Sequence, residues 1–415
     1  MRTVLVTGTG GAGRTTIAAA TARAAARRGG RVLLLSADPL DDPLGIPVGA
    51  APVRAGDGLW AARVDSGDHF REELLRFQER AATALELLGA RRLAGEELTE
   101  LPGSEQFALL HAMSRAAESD WDVLVVDLPP LRQALAVLAL PEQLRRYLRR
   151  LLPRERQAAR ALRPMMAQLA GVPMPAQWLY EIADRRDAEL ALVQSLIQDP
   201  ATTVRLVAEP GPSAAGALRT ARTGLALHGL RVDTLVANRI LPGDAAGPWL
   251  ATLVAQQRKC LDEWYEEWAP EAPLYPVGHL GRDPHGPDDL DLLGAGPAPE
   301  PFAGGAAGPA AGLAGGLADG LDEPGPETAP VLWPVEDRLA DDNLLVWCLP
   351  LPGAVKSELS LVRRDDELLL TVGAFRRIVP LPSALRRCTV TGAALTDGVL
   401  RVRFTPDPAL WPRAH

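Results

Sequence analysis

The chain has 415 residues, enough for two or three domains with sizeable cores. Its formal net charge of −8 argues against nonspecific nucleic-acid binding as the main task. Three widely spaced cysteines, Cys260, Cys348 and Cys388, exclude a disulfide framework and a C-x-x-C metal pair. No segment reaches about 18 unbroken apolar residues, and Met1 runs directly into a strand-like stretch, so a cytoplasmic, soluble protein without stable membrane insertion is expected.

The first element is the most informative. Val4-Leu5-Val6 passes into Thr7-Gly8-Thr9-Gly10-Gly11-Ala12-Gly13-Arg14-Thr15-Thr16 and then into an alanine-rich helix ending at Gly29-Gly30. Strand, glycine loop and helix in this order place backbone N–H groups where they can surround a phosphate. The spacing from Gly8 to Thr15 fits G-x-x-x-x-G-K-[ST], except that Arg14 stands at the lysine. Thr15 occupies the Mg²⁺-ligand position. Arg14 retains charge but not shape, because a planar guanidinium does not replace a compact ammonium in a close phosphate cradle. Only two lysines, Lys259 and Lys356, occur among the 44 basic residues, so a general shift toward arginine also accounts for Arg14.

Val32–Leu35 reads as a strand buried on both faces and ends in Ser36-Ala37-Asp38-Pro39. At a strand's carboxyl edge Asp38 can orient water or reach a Mg²⁺ shell; it can equally be a turn residue. A helical pattern follows over Glu72–Leu88, and Leu101-Pro102-Gly103 opens another helix. Val123–Val126 closed by Asp127 has the form of a second metal-side aspartate. Over Pro141–Gln168, Leu144, Tyr147, Leu148 and Leu151 share one helical face, with Arg145, Arg146, Arg149 and Arg150 on the other. Met165, Met166 and Met174 are three of the five methionines, consistent with a groove for hydrophobic protein segments or with ordinary core packing.

Strand-like Thr203–Glu209, a helix over Ala214–His228, strand-like Val232–Arg239 and a helix over Trp249–Trp268 continue the alternation. A doubly wound parallel α/β sheet with a helical insertion over 141–200 is therefore expected through residue 293. Residues 294–330, rich in glycine, alanine and proline, read as a flexible linker. Beyond it the period becomes two, as in Leu400, Val402 and Phe404, with runs at Leu344–Leu349, Glu358–Val362 and Leu368–Val372, implying a small all-β sandwich over 331–415.

These residues resemble the ArsA-type ATPases, which include arsenite-pump ATPases and the ATPase that delivers tail-anchored membrane proteins. That family's loop K-G-G-x-G-K-T-T is matched by Thr9 to Thr16, its D-P-A-H switch by Asp38-Pro39-Leu40-Asp41, and its E-x-P-G segment by Leu101-Pro102-Gly103. The stretch from Leu349 to Asp397-Gly398 is similar to the α-crystallin-like domain of a bacterial and plastid branch. The resemblance implies ATP or ADP with Mg²⁺ as cofactors, phosphate contacts from Gly10, Gly11, Ala12, Gly13, Arg14, Thr15 and Thr16, and Asn238 on the adenine side. It also implies Asp38 orienting water, Thr15 and Asp127 on the metal side, and a dimer. Departures are as specific as matches. The family lysine that reaches across a homodimer is Thr9; the second switch, D-T-A-P-T-G-H-T-L-R in the family, reads Asp127-Leu128-Pro129-Pro130-Leu131-Arg132-Gln133-Ala134-Leu135-Ala136; and the γ-phosphate-sensing glycine is Arg132. The expectation is a nucleotide-binding carrier or regulatory partner for hydrophobic segments, weak in hydrolysis alone and paired with itself or with an intact paralogue. The alternatives are an active arsenite-pump ATP hydrolase, for which the clustered thiolates are missing, a scaffold subunit without activity, and a membrane-positioning or DNA-partition ATPase, for which the C-terminus offers neither an amphipathic helix nor a basic patch.

Overall fold

A computed structural model describes residues 1–80, 82, 85, 91–152, 177–243, 247–268, 271–295, 316–318, 321 and 333–411. An eight-stranded sheet forms the first unit, built from β1 (Arg2–Gly8), β2 (Val32–Ser36), β3 (Val53–Gly56), β4 (Leu59–Arg63), β5 (Val123–Asp127), β6 (Thr202–Ala208), β7 (Val232–Ile240) and β8 (Leu274–Gly278). Their order is β3-β4-β2-β5-β1-β6-β7-β8, and every pairing is parallel except that of β3 with β4. Val4, Leu5 and Val6 are wholly buried, as a central strand covered on both faces requires. The hairpin-like β3–β4 edge was not legible in the apolar runs, because β3 is short and only half-buried, and β8, though buried, is a five-residue strand interrupted by Pro276.

The helices are α1 (Arg14–Arg27), α2 (Asp41–Leu44), α3 (Ser66–Arg80), α4 (Ser104–Ala117), α5 (Leu131–Leu151), α6 (Gln177–Gln198), α7 (Pro212–His228), α8 (Pro248–Trp268) and α9 (Gly286–Ala295). Alanines on α1 let it lie close to the sheet, and Ala18, Ala19, Ala20 and Ala22 are fully buried. One core on the α1 side contains Val4, Val6, Ile17 and Leu34; the other, on the α4–α8 side, contains Leu5, Leu124, Leu206 and Trp264. The helix expected from Pro141 begins ten residues earlier, at Leu131, and carries Pro141 buried within it. Met165, Met166 and Met174 lie outside the described residues.

Within the stretch expected to be an unpacked linker, Leu317, Ala318 and Leu321 are buried against the α1-side core. The Leu317 N–H donates to the Gly294 carbonyl at 3.2 Å, and Arg205 and Arg28 donate to the Leu317 and Ala318 carbonyls. This part of the stretch is anchored by a wholly buried guanidinium, since Arg205 also pairs with Asp233 and Thr21. The sequence concealed it because a few apolar residues among glycines and alanines carry no period.

The second unit is antiparallel throughout. Strands β9 (Val335–Arg338), β10 (Leu344–Pro350), β14 (Cys388–Thr396) and β15 (Val399–Pro406) form one sheet, ordered β14-β15-β10-β9. Strands β11 (Leu359–Arg364), β12 (Glu367–Val372) and β13 (Phe375–Pro380) form the other. Trp347, Leu349, Leu368, Leu370, Val402 and Phe404 fill one core between them, as the alternating pattern anticipates. Leu227 of α7 joins that core, and the Thr223 hydroxyl donates to the Pro352 carbonyl at 2.6 Å, so this unit is seated on the first.

Candidate functional site

The parallel registers bring three strand ends together. Asp127 of β5 lies opposite Val6 of β1 and Ser36 of β2, so the glycine loop, Ser36-Ala37-Asp38 and Asp127-Leu128-Pro129 leave the sheet side by side at its carboxyl edge. The loop itself demands glycine at three points, Gly8 by close contact and Gly11 and Gly13 by left-handed backbone. A Cβ on Gly8 would lie 1.8 Å from the Val207 carbonyl oxygen, and Gly13 has φ of 84° with the Asn238 amide 2.5 Å from where its Cβ would be. Gly10 and Gly11 face open space. The first-turn N–H groups of α1, from Arg14, Thr15 and Thr16, have no intrahelical carbonyl to bond, and no side chain caps them.

Thr15, Ser36, Asp38 and Asp127 form one polar cluster. The Thr15 hydroxyl lies 2.7 Å from Asp127 Oδ2 and 3.3 Å from Asp38 Oδ2, while the Ser36 hydroxyl lies 2.8 Å from Asp127 Oδ2 and accepts the Asp38 N–H at 3.0 Å. Asp127 is 4% exposed, and its Oδ1 has no hydrogen-bond partner. Burial drives its carboxyl from 3.8 to about 6, against the opposing pull of the Thr15 and Ser36 hydroxyls and the Arg14 charge. A buried carboxylate with one oxygen unpartnered, beside a hydroxyl and a second, exposed carboxylate, is an oxygen-donor set suited to a hard divalent cation. Ser36 was not singled out from the sequence; the one signal was a hydroxyl closing an otherwise apolar strand.

Arg14 is placed differently from an open phosphate clamp. Its guanidinium donates to the Leu128 carbonyl, at the head of the segment leading into α5, and lies 3.7 Å from Asp38 Oδ2. The Thr7 hydroxyl donates to the Pro129 carbonyl at 2.7 Å, and the Leu128 N–H donates to the Val6 carbonyl at 2.8 Å. The loop and the segment after Asp127 are thus tied together at three points. Asn238 is buried, and its amide donates to the Ala12 carbonyl at 2.7 Å, bracing the loop from behind. Arg239, at φ of 58°, donates to the Gly11 carbonyl at 2.9 Å and approaches Glu209 at 3.7 Å. Arg239 was missed because its role depends on a left-handed backbone that sequence does not announce. Gly10, Gly11, Ala12, Gly13, Arg14, Thr15, Thr16, Asp38, Asp127 and Asn238 all converge on this edge. Arg132 lies on the first turn of α5 and, with Gly8, Thr9 and Gly10, lines a cavity on the flank of the loop.

Cys260, Cys348 and Cys388 are all buried and free, on α8, β10 and β14, and among the described residues no cluster of three or more metal-ligating side chains occurs. Among the same residues no helix is long and apolar enough to cross a membrane. A second, apolar cavity of about 480 Å³ lies away from the loop, between α3, α4, α5 and α6, lined by Leu101, Phe107, Leu144, Leu148, Leu190 and Val193 among others.

Comparison with known proteins agrees with this architecture. The family model described as "Anion-transporting ATPase" matches residues 1–277, and one described as "HSP20-like domain found in ArsA" matches residues 342–404. The chain is 55% identical to "Uncharacterized protein SCO2128" of Streptomyces coelicolor, over the whole of both chains. It is 33% identical to "Protein Rv2184c" of Mycobacterium tuberculosis, over 99% of this chain and 97% of that one. It is 26% identical to "Putative arsenical pump-driving ATPase 1" of Aquifex aeolicus, over 93% of this chain and 95% of the other. A glycine loop opening an alanine helix, two aspartates at neighbouring strand ends and an antiparallel β unit after the sheet are here joined to matches over both units, and the chain belongs to the ArsA family of anion-transporting ATPases, in the form that carries an HSP20-like domain.

Proposed function

We propose that this chain binds Mg²⁺-nucleotide in the β1–α1 loop, hydrolyses it slowly by itself, and serves as a cytoplasmic nucleotide-dependent carrier or regulatory partner for hydrophobic protein segments, as a homodimer or with an intact paralogue. The observation that carries the nucleotide reading is the Thr15–Ser36–Asp38–Asp127 cluster facing the glycine loop, with Asp127 Oδ1 buried and unpartnered. Thr15 and Asp127 would hold the metal, Asp127 through its shell. A Mg²⁺ ion bound there supplies charge stabilisation for the transferred phosphate. Asp38, more exposed, would orient a water, and the first-turn N–H groups of α1 would bind phosphate oxygens.

Slow turnover follows from four features of the chain. Thr9 offers no charge to a partner's phosphates, Arg14 is engaged by the Leu128 carbonyl, Arg132 replaces a flexible glycine, and Pro129-Pro130 stiffens the segment that follows Asp127. A cationic group aimed at the transferred phosphate is worth about 10³ to 10⁵ in rate. The 480 Å³ apolar cavity supports the carrier reading, since its lining is of the kind that accepts an apolar side-chain row. The relatives' arsenical names find little chemical support here, because trivalent arsenic seeks clustered thiolates and the three cysteines are buried on separate elements.

The test is equilibrium binding of MgADP and of a non-hydrolysable ATP analogue, with steady-state ATPase activity and Asp38→Asn as the blank. Saturable, Mg²⁺-dependent binding with turnover well below about 1 s⁻¹ is expected. Absence of binding would overturn the nucleotide reading. Turnover at or above that rate, lost in Asp38→Asn and needing no partner, would overturn the impaired-hydrolysis reading.

A further inference from the structure

Helix α5 joins the two units in an unusual way. Its first residue, Leu131, follows Pro129-Pro130 and is four residues from Asp127, so its N-terminus directly continues the segment that Arg14 and Thr7 hold. Leu131, Leu135 and Leu138 are buried in the first unit. Continuing down the helix at spacings of three and four, Glu142, Arg146 and Arg150 extend that same stripe and meet the C-terminal unit. Arg377 of β13 lies 3.2 Å from Glu142, and Glu367 at the start of β12 receives Arg146 through two hydrogen bonds, at 2.9 and 2.7 Å, and Arg150 at 2.7 Å. Glu367, Arg146, Arg377 and Glu142 are each no more than a quarter exposed at the side chain. Arg377 also donates to the Leu227 carbonyl at 2.9 Å.

Nearer the loop, Phe375 of β13 packs on both the first unit's core and its own. A Cβ added to Gly224 of α7 would lie 2.7 Å from Leu135 and 2.9 Å from Phe375, which locates both side chains over that glycine. The same phenylalanine lines the cavity bordered by Thr9, Gly10, Arg132 and Leu135. The C-terminal unit therefore touches α5 at both ends: an apolar contact one turn from Leu131, and three ion pairs on the last turns.

We propose that the C-terminal β unit is an autoinhibitory clamp on the nucleotide site, acting through α5. Docked, it fixes α5 and so keeps the Leu128 carbonyl on the Arg14 guanidinium, withholding that charge from phosphate. Release of the unit leaves α5 and the Leu128 segment held only by the first unit's own contacts, which lowers the cost of turning Arg14 from the Leu128 carbonyl to the nucleotide. This rests on the nucleotide reading above. Because coupling between two sites is reciprocal, nucleotide binding loosens the docking to the same degree that undocking tightens nucleotide binding.

The experiment uses the full chain and two variants that attack the contact from opposite sides, Glu367→Arg and the pair Arg146→Glu with Arg150→Glu. Docking is read by hydrogen exchange of β11–β13, and affinity by titration with MgADP and a non-hydrolysable ATP analogue. Both variants are expected to lose protection in β11–β13 and to bind nucleotide at least about fivefold more tightly, the lower end of allosteric couplings. The triple variant, which restores opposite charges across the contact, returns affinity to within about twofold of the starting chain. Undocked variants with unchanged or weaker affinity would overturn the clamp. So would variants in which β11–β13 keep full protection, since the ion pairs would then not hold the unit. Failure of the unaltered chain to bind either nucleotide would overturn the nucleotide reading and the clamp together; binding that is equal in all chains overturns the clamp alone.

Discussion

Replacing Asp127 with asparagine separates the cost of burying a charge from everything else in the site. Burial sets this carboxyl at about 6 in the fold against 3.8 unperturbed. Between those values the native chain binds more protons than the unfolded one, so stability falls as pH rises through the window and is flat above it. Two pK units correspond to about 3 kcal/mol. Integrated for a single site, about 2 kcal/mol of this falls between pH 4.5 and 7.5. Asparagine does not titrate, so its difference from the aspartate chain should grow by about 2 kcal/mol in the variant's favour across that range. Any constant cost of an imperfectly bonded amide cancels in the comparison. The assay is native-state hydrogen exchange of the β1 and β5 amides, both chains at each pH in EDTA, where about 2 kcal/mol appears as a roughly thirtyfold change in relative opening. Saturating Mg²⁺-nucleotide should reverse the preference at pH 7.5, because only the carboxylate gains from the cation. A difference that stays within about 0.5 kcal/mol from pH 4.5 to 7.5 would refute the argument that Asp127 is a strained, cation-seeking carboxylate.

Other consequences are equally direct. Gly8→Ala forces a Cβ to within 1.8 Å of the Val207 carbonyl oxygen, a backbone atom, and should destabilise the first unit by several kcal/mol, read as loss of soluble protein or a much lower melting temperature. Arg205→Ala leaves Asp233 without its buried partner and releases the Leu317 carbonyl; about 3 kcal/mol or more of stability should be lost, with faster protease cleavage near Leu317. Thr9→Lys combined with Arg14→Lys restores two compact charges at the loop and should raise ATP turnover at least tenfold. Unchanged turnover would place the block in Arg132 and Pro129-Pro130 instead.

Much of the first unit was legible because its signals are local. Val32–Leu35 and Val123–Val126 are apolar without interruption, as strands covered on both faces must be, and each ends in the polar residue that the site uses. The loop announces itself through glycines whose necessity is steric: Gly8 against Val207 and Gly13 in a left-handed backbone. The β unit was legible for the same reason, since a half-buried antiparallel strand alternates and Leu400, Val402 and Phe404 are its buried half.

Tertiary structure alone decided the rest, because it depends on contacts between residues far apart in sequence. Nothing local distinguishes the arginines of α5 that pair with Glu367 from a solvated face, for the deciding carboxylate lies more than two hundred residues away. The same holds for Leu317, held by Arg205, and for Arg14, whose charge is legible but whose direction, onto the Leu128 carbonyl, is not. Sequence by itself determined which residues can bear charge, bind phosphate or fill a core. The fold decided which of them face one another, because parallel register sets Ser36 and Asp127 side by side and buries the carboxylate deeply enough to perturb it.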